Sequence, residues 1–141
     1  MRHWKILAAA SFSLLALPIV AAAQSAGVPD AKSANGIKFI AGGLGQPESQ
    51  AMLKEAARYP LNLVFSGGRD KHFVADVRVN VKDKAGKTVF EATAGAPIML
   101  VDLPTGAYTI EAQYRGKALQ HSAQVVAKAP TGLTFHWDLA D

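Results

Sequence analysis

The chain has 141 residues, of which 50% are hydrophobic, and 15 Lys and Arg against 11 Asp and Glu give a net charge of +4. It contains no cysteine, which excludes disulfides and thiolate chemistry. Cations and anions are interspersed, so the sequence indicates no basic face for nucleic acid.

The first 23 residues have the organisation of a secretory signal peptide. Arg2 and Lys5 form a positive start, 6–20 is an uncharged, mostly apolar run, and the small residues Ala21 and Ala23 stand where a signal peptidase reads the chain. The run is shorter than the roughly 20 residues that a membrane-spanning helix needs, which disfavours a retained anchor. We expect cleavage after Ala23, no stable membrane anchor afterwards, and a bacterial periplasmic or secreted protein with a net charge of +2.

The mature chain is predicted to contain a leader and one domain. Residues 24–36 are small and polar without periodicity, which is typical of a flexible leader, and the domain is expected over 37–141. An apolar strand is predicted at 37–40. The glycines within 42–45 do not fit a phosphate-binding or dinucleotide-binding motif, so they indicate a turn.

The next segment has the pattern of a helix. Pro47 suits the first helical position, and Glu48 lies in the first turn, where an anion is favoured. Met52 begins an apolar stripe with helical spacing, and Pro60 ends the pattern. We predict a single helix over 47–58.

From Leu61 onward the apolar residues recur with period two, which predicts strands. The longest alternation, from Phe73 to Val81, predicts a half-buried strand of nine residues. Further strands are expected at 61–65, 88–93, 98–103, 108–114, 119–125 and 133–137. Such short strands with regular turns are typical of an antiparallel β-sandwich, here of about seven strands.

The turn before the strand 108–114 predicts a structural corner. Pro104 fixes φ and Gly106 allows a positive φ. Tyr108 follows directly, so its hydroxyl is expected to bond back to the backbone of the connection, as in the tyrosine corner of Greek-key sandwiches.

Two groups of residues carry a family resemblance. The run 103–109 (Leu-Pro-Thr-Gly-Ala-Tyr-Thr), preceded by the hairpin 77–86, resembles the carboxypeptidase regulatory-like domain, a transthyretin-like (prealbumin-like) Greek-key β-sandwich. The segments 39–45 and 59–65 are similar to small exported bacterial proteins that carry this domain alone, with one short helix before the first core strand. The resemblance implies a non-catalytic module, and it is compatible with homo-oligomers.

A remote alternative is an enzyme of the same superfamily. Tyr114-Arg115-Gly116-Lys117 is similar to the Tyr-Arg-Gly-Ser ending of the hydroxyisourate hydrolases. Here, however, the tripeptide lies about 25 residues before the end, and Lys117 replaces the serine. A hairpin loop explains Arg115 and Gly116 without chemistry.

No catalytic, metal-binding or cofactor-binding residue is predicted. His72, His121 and His136 have no metal-ligand spacing, and no G-x-S-x-G nucleophile motif is present. His136 is expected to face away from the core, and His121 to be a packed or edge residue.

We therefore expect a non-enzymatic binding or accessory protein of the envelope that engages a protein partner through loops or a sheet edge. The best contact candidate is the Gly-rich, charged loop 66–71, with Arg69, Asp70 and Lys71 at its tip. The alternative is a small-ligand or carbohydrate-binding sandwich that uses Tyr114 or Trp137, although core packing is the more usual role of such a tryptophan.

Overall fold

The computed structural model describes residues 27–139, and within them the chain is mainly β. The strands are β1 Lys32–Ala34, β2 Ile37–Gly42, β3 Leu61–Gly67, β4 His72–Phe73, β5 Val77–Lys82, β6 Thr88–Ala94, β7 Ile98–Val101, β8 Gly106–Tyr114, β9 Lys117–Val125 and β10 Thr131–Trp137. Helix α1 spans Gln46–Glu55 and continues into a 3-10 helix, Ala56–Arg58. The predicted signal peptide, with Ala21 and Ala23, lies outside the described residues. No helix in the described part is long and apolar enough to cross a membrane.

The strands form two sheets. The first has the order β1-β2-β7-β3-β10, with β4 also pairing with β3, and the second has the order β6-β5-β8-β9. The predicted β-sandwich character is thus supported, but the strand count of seven is not, since the described residues form ten strands. The fully antiparallel pairing is also wrong, because β3 and β10 run parallel. Periodicity identifies strands, whereas it does not specify which strand becomes the neighbour of which.

The main core lies between the two sheets. Leu61, Leu63 and Phe65 of β3 are fully buried, as are the alternate valines of β5. Phe39 and Phe90 meet edge to face across the core, with ring centroids 5.3 Å apart. Each such side chain contributes about 1.5–3 kcal/mol to the free energy of folding through burial.

Helix α1 packs on the outer face of the first sheet. Met52 is fully buried in a small second cluster with Ile40, Ile98 and Leu100. The Glu48 carboxylate accepts hydrogen bonds from the backbone N–H of Gly43 and of Leu44, which holds the turn that leads into the helix. The predicted helix is confirmed, but it follows β2, a strand that contributes to the core, and so does not precede the first core strand.

The predicted strand from Phe73 to Val81 is wrong. The chain leaves the first sheet after β4 and enters the second at β5, and Asp76 in the crossing has a left-handed φ of 61°. This crossing shifts the alternation, so Val74 is buried while Phe73 is 56% exposed. The alternation of apolar residues is continuous in the sequence because Phe73 of β4 and Val77 of β5 are an even number of positions apart, although they belong to different strands.

The predicted leader 24–36 also needs correction in its described part. Residues 32–34 form β1, which pairs with β2 through a turn at Asn35 and Gly36, whose φ values are 54° and 78°. Positive φ at both central positions is the geometry of a tight hairpin turn. Val28 packs against the cluster under the helix.

Two hydrogen bonds connect the two sheets along one side of the sandwich, between β9 of the second sheet and β10 of the first. The Trp137 indole Nε1–H donates to the carbonyl oxygen of Lys117, and the Thr131 hydroxyl donates to that of Gln124, each at 2.9 Å. These bonds define two opposite ends. We call the end near Trp137, with the turn 68–71, the turn end, and the end near Thr131, with the connection 102–105, the corner end.

Candidate functional site

A row of three side chains lies on the outer face of the first sheet at the turn end. In the strand register, Phe73 of β4 is opposite Ser66 of β3, and Ser66 is opposite His136 of β10. Because side chains directly opposite each other share one face, this outer row combines an aromatic ring, a hydroxyl and an imidazole. His136 faces away from the core, as predicted.

A side-chain hydrogen bond orients the imidazole of the outer row. The Ser66 Oγ and the His136 Nδ1 are 3.0 Å apart, and Ser66 is only 7% exposed. The other ring nitrogen, Nε2, lies 3.9 Å from a carboxylate oxygen of Asp138, whose side chain is fully exposed. The buried serine therefore holds the ring, and Nε2 is directed toward Asp138.

The turn 68–71 borders this row and carries the predicted contact residues Arg69, Asp70 and Lys71, all exposed. It is tighter than expected from its sequence. The Gly68 N–H donates to the carbonyl oxygen of Trp137 at 3.0 Å, and the Lys71 N–H donates to that of Gly68 at 3.3 Å. The turn is thus fixed to β10 and does not project as a long loop.

A cleft of about 490 Å³ lies beside the turn, lined by Gly68, Arg69, His136, Asp138 and Leu139. Leu139 adds an apolar side chain to this lining and also packs against Gly67, where a Cβ would be only 2.7 Å from the leucine side chain. The cleft therefore combines charged, polar and apolar groups.

The contacts of Ser66 and His136 differ from those of a serine hydrolase triad. In a serine hydrolase triad, Nε2 of the histidine takes the serine proton, and Nδ1 faces a buried aspartate. Here Ser66 contacts Nδ1, and Asp138 is exposed and beyond hydrogen-bond distance. Ser66 also lies within a strand rather than on a strained strand-to-helix turn.

The predicted corner residues lie at the opposite end. The Tyr108 hydroxyl donates to the carbonyl oxygen of Pro104 at 2.8 Å, across the connection between β7 and β8 that carries the chain from one sheet to the other. Gly106 is the first residue of β8 and lies against the Tyr108 ring. Burial, and then the negative charge of Asp83, raise the pKa of the Tyr108 phenol.

The two aromatic residues proposed for carbohydrate binding are both buried. Trp137 is 2% exposed and Tyr114 is 8% exposed, so neither ring offers a free face to a ligand. The Arg115 guanidinium lies 5.0 Å from the centroid of the Tyr114 ring, and Arg115 and Gly116 form the turn between β8 and β9. A role of these aromatic rings in stacking on a sugar is therefore excluded by packing.

The remaining predicted residues are placed as follows. His121 is an exposed residue of β9, and its ring meets Phe135 edge to face at 4.6 Å. The His72 ring lies over Gly68, where a Cβ would be 2.8 Å from it. Within residues 27–139, no three His, Cys, Asp or Glu side chains are grouped in a way that could hold a metal ion.

Sequence reasoning did not predict the outer row. Phe73 is expected on the core face from its alternation but is exposed, and Ser66 is expected at the start of the contact loop 66–71 but lies within β3. Two local signals could have shown that the strand is interrupted. Gly67-Gly68 mark the turn before β4, and Asp76 marks the point where the chain crosses to the second sheet.

The sequence matches no protein-family model and no characterised protein. The fold and the two ends of the sandwich are therefore the basis on which we infer a function.

Proposed function

We propose that the chain is a non-enzymatic binding or accessory protein of the bacterial envelope, and that it engages a protein partner at the turn end. The observation that carries this proposal is Phe73, an aromatic side chain that is 56% exposed beside the hydrogen-bonded pair of Ser66 and His136. Aromatic side chains surrounded by polar groups are typical centres of protein interfaces.

The neighbouring charges support this proposal. Arg69, Asp70 and Lys71 form an exposed turn next to the aromatic ring, and Asp138 adds a carboxylate on the other side of the cleft. Charges of both signs around an apolar centre orient a partner and exclude wrong ones. The predicted signal peptide supports a place in the periplasm or outside the cell.

We also propose that the sandwich is a transthyretin-like, carboxypeptidase regulatory-like domain. The segment that carries the resemblance, 103–109, forms the connection between the sheets and includes the Tyr108 bond to Pro104. The resemblance favours a binding role over catalysis, because it is to a module without its own active site.

The experiment is site-specific photo-crosslinking in cells that produce the exported protein. A photo-reactive amino acid at position 73 is expected to capture one protein reproducibly, whereas the same group at position 84, exposed at the corner end, captures none. The captured protein is then purified and its affinity is measured directly. Phe73→Ala should weaken binding at least tenfold, because truncating an interface anchor costs about 2 kcal/mol or more.

The double substitution Lys84→Ala and Lys87→Ala is the matched control, since it removes two exposed cations at the opposite end. It should leave the affinity unchanged. Equal capture from positions 73 and 84, or an affinity that Phe73→Ala does not lower, would contradict a partner site at the turn end.

A further inference from the structure

The hairpin turn between β1 and β2 lies at the corner end, where the Asp102 N–H donates to the carbonyl oxygen of Lys38. In this turn Asn35 is followed directly by Gly36, and both residues are exposed. A Cβ built at Gly36 would meet nothing within 4 Å. Because glycine has no side chain of its own, nothing in the described part of the chain obstructs the approach of the Gly36 nitrogen to the Asn35 side chain. This approach is the first step of asparagine deamidation.

The other two asparagines of the chain, Asn62 and Asn80, have different surroundings. They lie in β3 and β5, strands that have a neighbour on each side, so their backbone cannot rotate unless the sheet opens. The Asn62 Oδ1 is buried, and the next residue, Leu63, is fully buried. The Asn80 Oδ1 accepts a hydrogen bond from the Thr88 hydroxyl at 3.3 Å. Of the three asparagines, Asn35 alone lies in a turn, at the end of a three-residue edge strand.

We propose that Asn35 is a deamidation site and that its modification releases β1 from β2. The Gly36 nitrogen forms a bond to the Asn35 Cγ and loses its proton, the bond between Cγ and Nδ2 breaks, and ammonia leaves with that proton. Water then opens the resulting succinimide ring at one of its two carbonyl carbons. Opening at Cγ gives aspartate, and opening at the main-chain carbonyl gives isoaspartate, in which the chain continues through the side chain. This modification is independent of the partner site at the turn end.

Isoaspartate disturbs the pairing because it adds a methylene group to the main chain of a tight turn. The register of β1 on β2 is set by this turn, in which both central residues have a positive φ. Little else holds β1, since only Ala34 of its three residues is partly buried against the core.

Release of β1 leaves backbone donors of β2 unpaired. The N–H groups of Ile37 and Phe39 face β1, because the carbonyl of Lys38, between them, points to the other side and accepts from the Asp102 N–H. Without β1 these donors form an open sheet edge, which is a template for pairing with another chain. Deamidation therefore converts a covered edge of the first sheet into an open one.

The test begins with the purified exported protein, kept in mildly alkaline buffer and sampled over several weeks by peptide mass spectrometry. Asn35 should deamidate at least about tenfold faster than Asn62 and Asn80, because the two strand residues react only after the sheet opens. The deamidated protein carries an additional negative charge, so ion-exchange chromatography separates it from the unmodified protein. Amide hydrogen exchange of the isoaspartate form should then be faster at Ile37 and Phe39, while the amides of β5 keep their protection.

Two variants at the same position are the matched controls. Asn35→Gly removes the amide and accepts the positive φ, so it should show no mass change at this position and keep the protection of β2. Freshly prepared Asn35→Asp has the added charge but a normal main chain, and it should keep the protection too. The proposal is overturned if Asn35 deamidates no faster than Asn62 and Asn80, or if the isoaspartate form protects Ile37 and Phe39 as well as the unmodified protein does. It is also overturned if Asn35→Asp loses this protection to the same extent as the isoaspartate form.

Discussion

The turn end and the corner end of the sandwich use their polar side chains differently. At the corner end, Tyr108, Thr131 and Asp83 all bond to backbone atoms, so these side chains fix the path of the chain. At the turn end, the bond between Ser66 and His136 joins two side chains, while backbone groups and the buried Trp137 hold the chain. A hydrogen bond that orients an imidazole at the surface contributes little to holding the main chain in place. For this reason we propose the partner site at the turn end.

The largest expected effect tests whether Trp137 holds the turn end. Its indole is buried against Phe65, Tyr114 and Phe135 and bonds to β9. Trp137→Ala should lower the free energy of unfolding by about 3–5 kcal/mol, because it leaves a large cavity and an unpaired carbonyl. Urea denaturation followed by circular dichroism measures this change.

A second substitution separates the two contributions of Trp137. Trp137→Phe keeps a six-membered aromatic ring in the core and removes the five-membered part of the indole with its N–H, so it should cost clearly less than Trp137→Ala. If Trp137→Ala lowered the free energy of unfolding by less than about 1 kcal/mol, Trp137 would not stabilise the turn end as a large, fully buried side chain normally does.

Glycine substitutions offer a smaller, matched comparison between the ends. Gly68 at the turn end and Gly86 at the corner end both have left-handed φ values, 75° and 80°. Alanine at either position costs about 1–2 kcal/mol for the backbone conformation alone. At Gly68 the new Cβ would also meet the His72 ring, whereas nothing lies within 4 Å at Gly86. Gly68→Ala should therefore destabilise the protein more than Gly86→Ala.

A double substitution tests the cause of the extra destabilisation expected for Gly68→Ala. The free energy of unfolding is measured by urea denaturation for the single and the double variants. In a His72→Ala background, the difference between the two glycine variants should disappear, because the atoms that a Cβ at Gly68 would meet first all belong to the His72 ring. A difference that persists would mean that the contact with His72 does not cause the extra destabilisation of Gly68→Ala.

Much of the fold follows from local sequence signals. Periodicity of two located most strands, and Pro47, Glu48 and Pro60 located the helix, because these signals depend only on neighbouring residues. The Asn35-Gly36 hairpin signal was present but was read as part of a leader, since the short β1 has no alternation of its own. Local patterns also gave no information on the parallel pairing of β3 with β10, which depends on residues about 70 positions apart.

The candidate site was predicted only in part for the same reason. Arg69, Asp70 and Lys71 could be assigned to an exposed turn, because turns are polar and glycine-rich. The outer row, in contrast, depends on the register of three strands, and an alternation that crosses from one sheet to the other assigned Phe73 to the wrong face. A residue's side of a sheet is determined by where the chain changes sheets, and here the change occurs at Asp76, an exposed residue in a left-handed conformation.

The smallest effect tests the corner end through Tyr108. Tyr108→Phe removes the hydroxyl that bonds to Pro104 and should cost about 1 kcal/mol of unfolding free energy at neutral pH. The cost should depend on pH. Burial and the nearby Asp83 raise the pKa of this phenol, so the folded protein holds the proton more tightly than the unfolded chain does.

The direction of the pH dependence follows from this difference in proton binding. The contribution of Tyr108 to stability is complete below pH about 10, where the phenol is protonated in both states, and it falls as the pH rises further, because the unfolded chain loses its proton first. The destabilisation caused by Tyr108→Phe, measured by urea denaturation, should therefore stay constant from neutral pH to about pH 9 and shrink as the pH rises from there to about pH 11. A difference that stays constant over this interval would contradict the contribution of burial and of Asp83 at the corner.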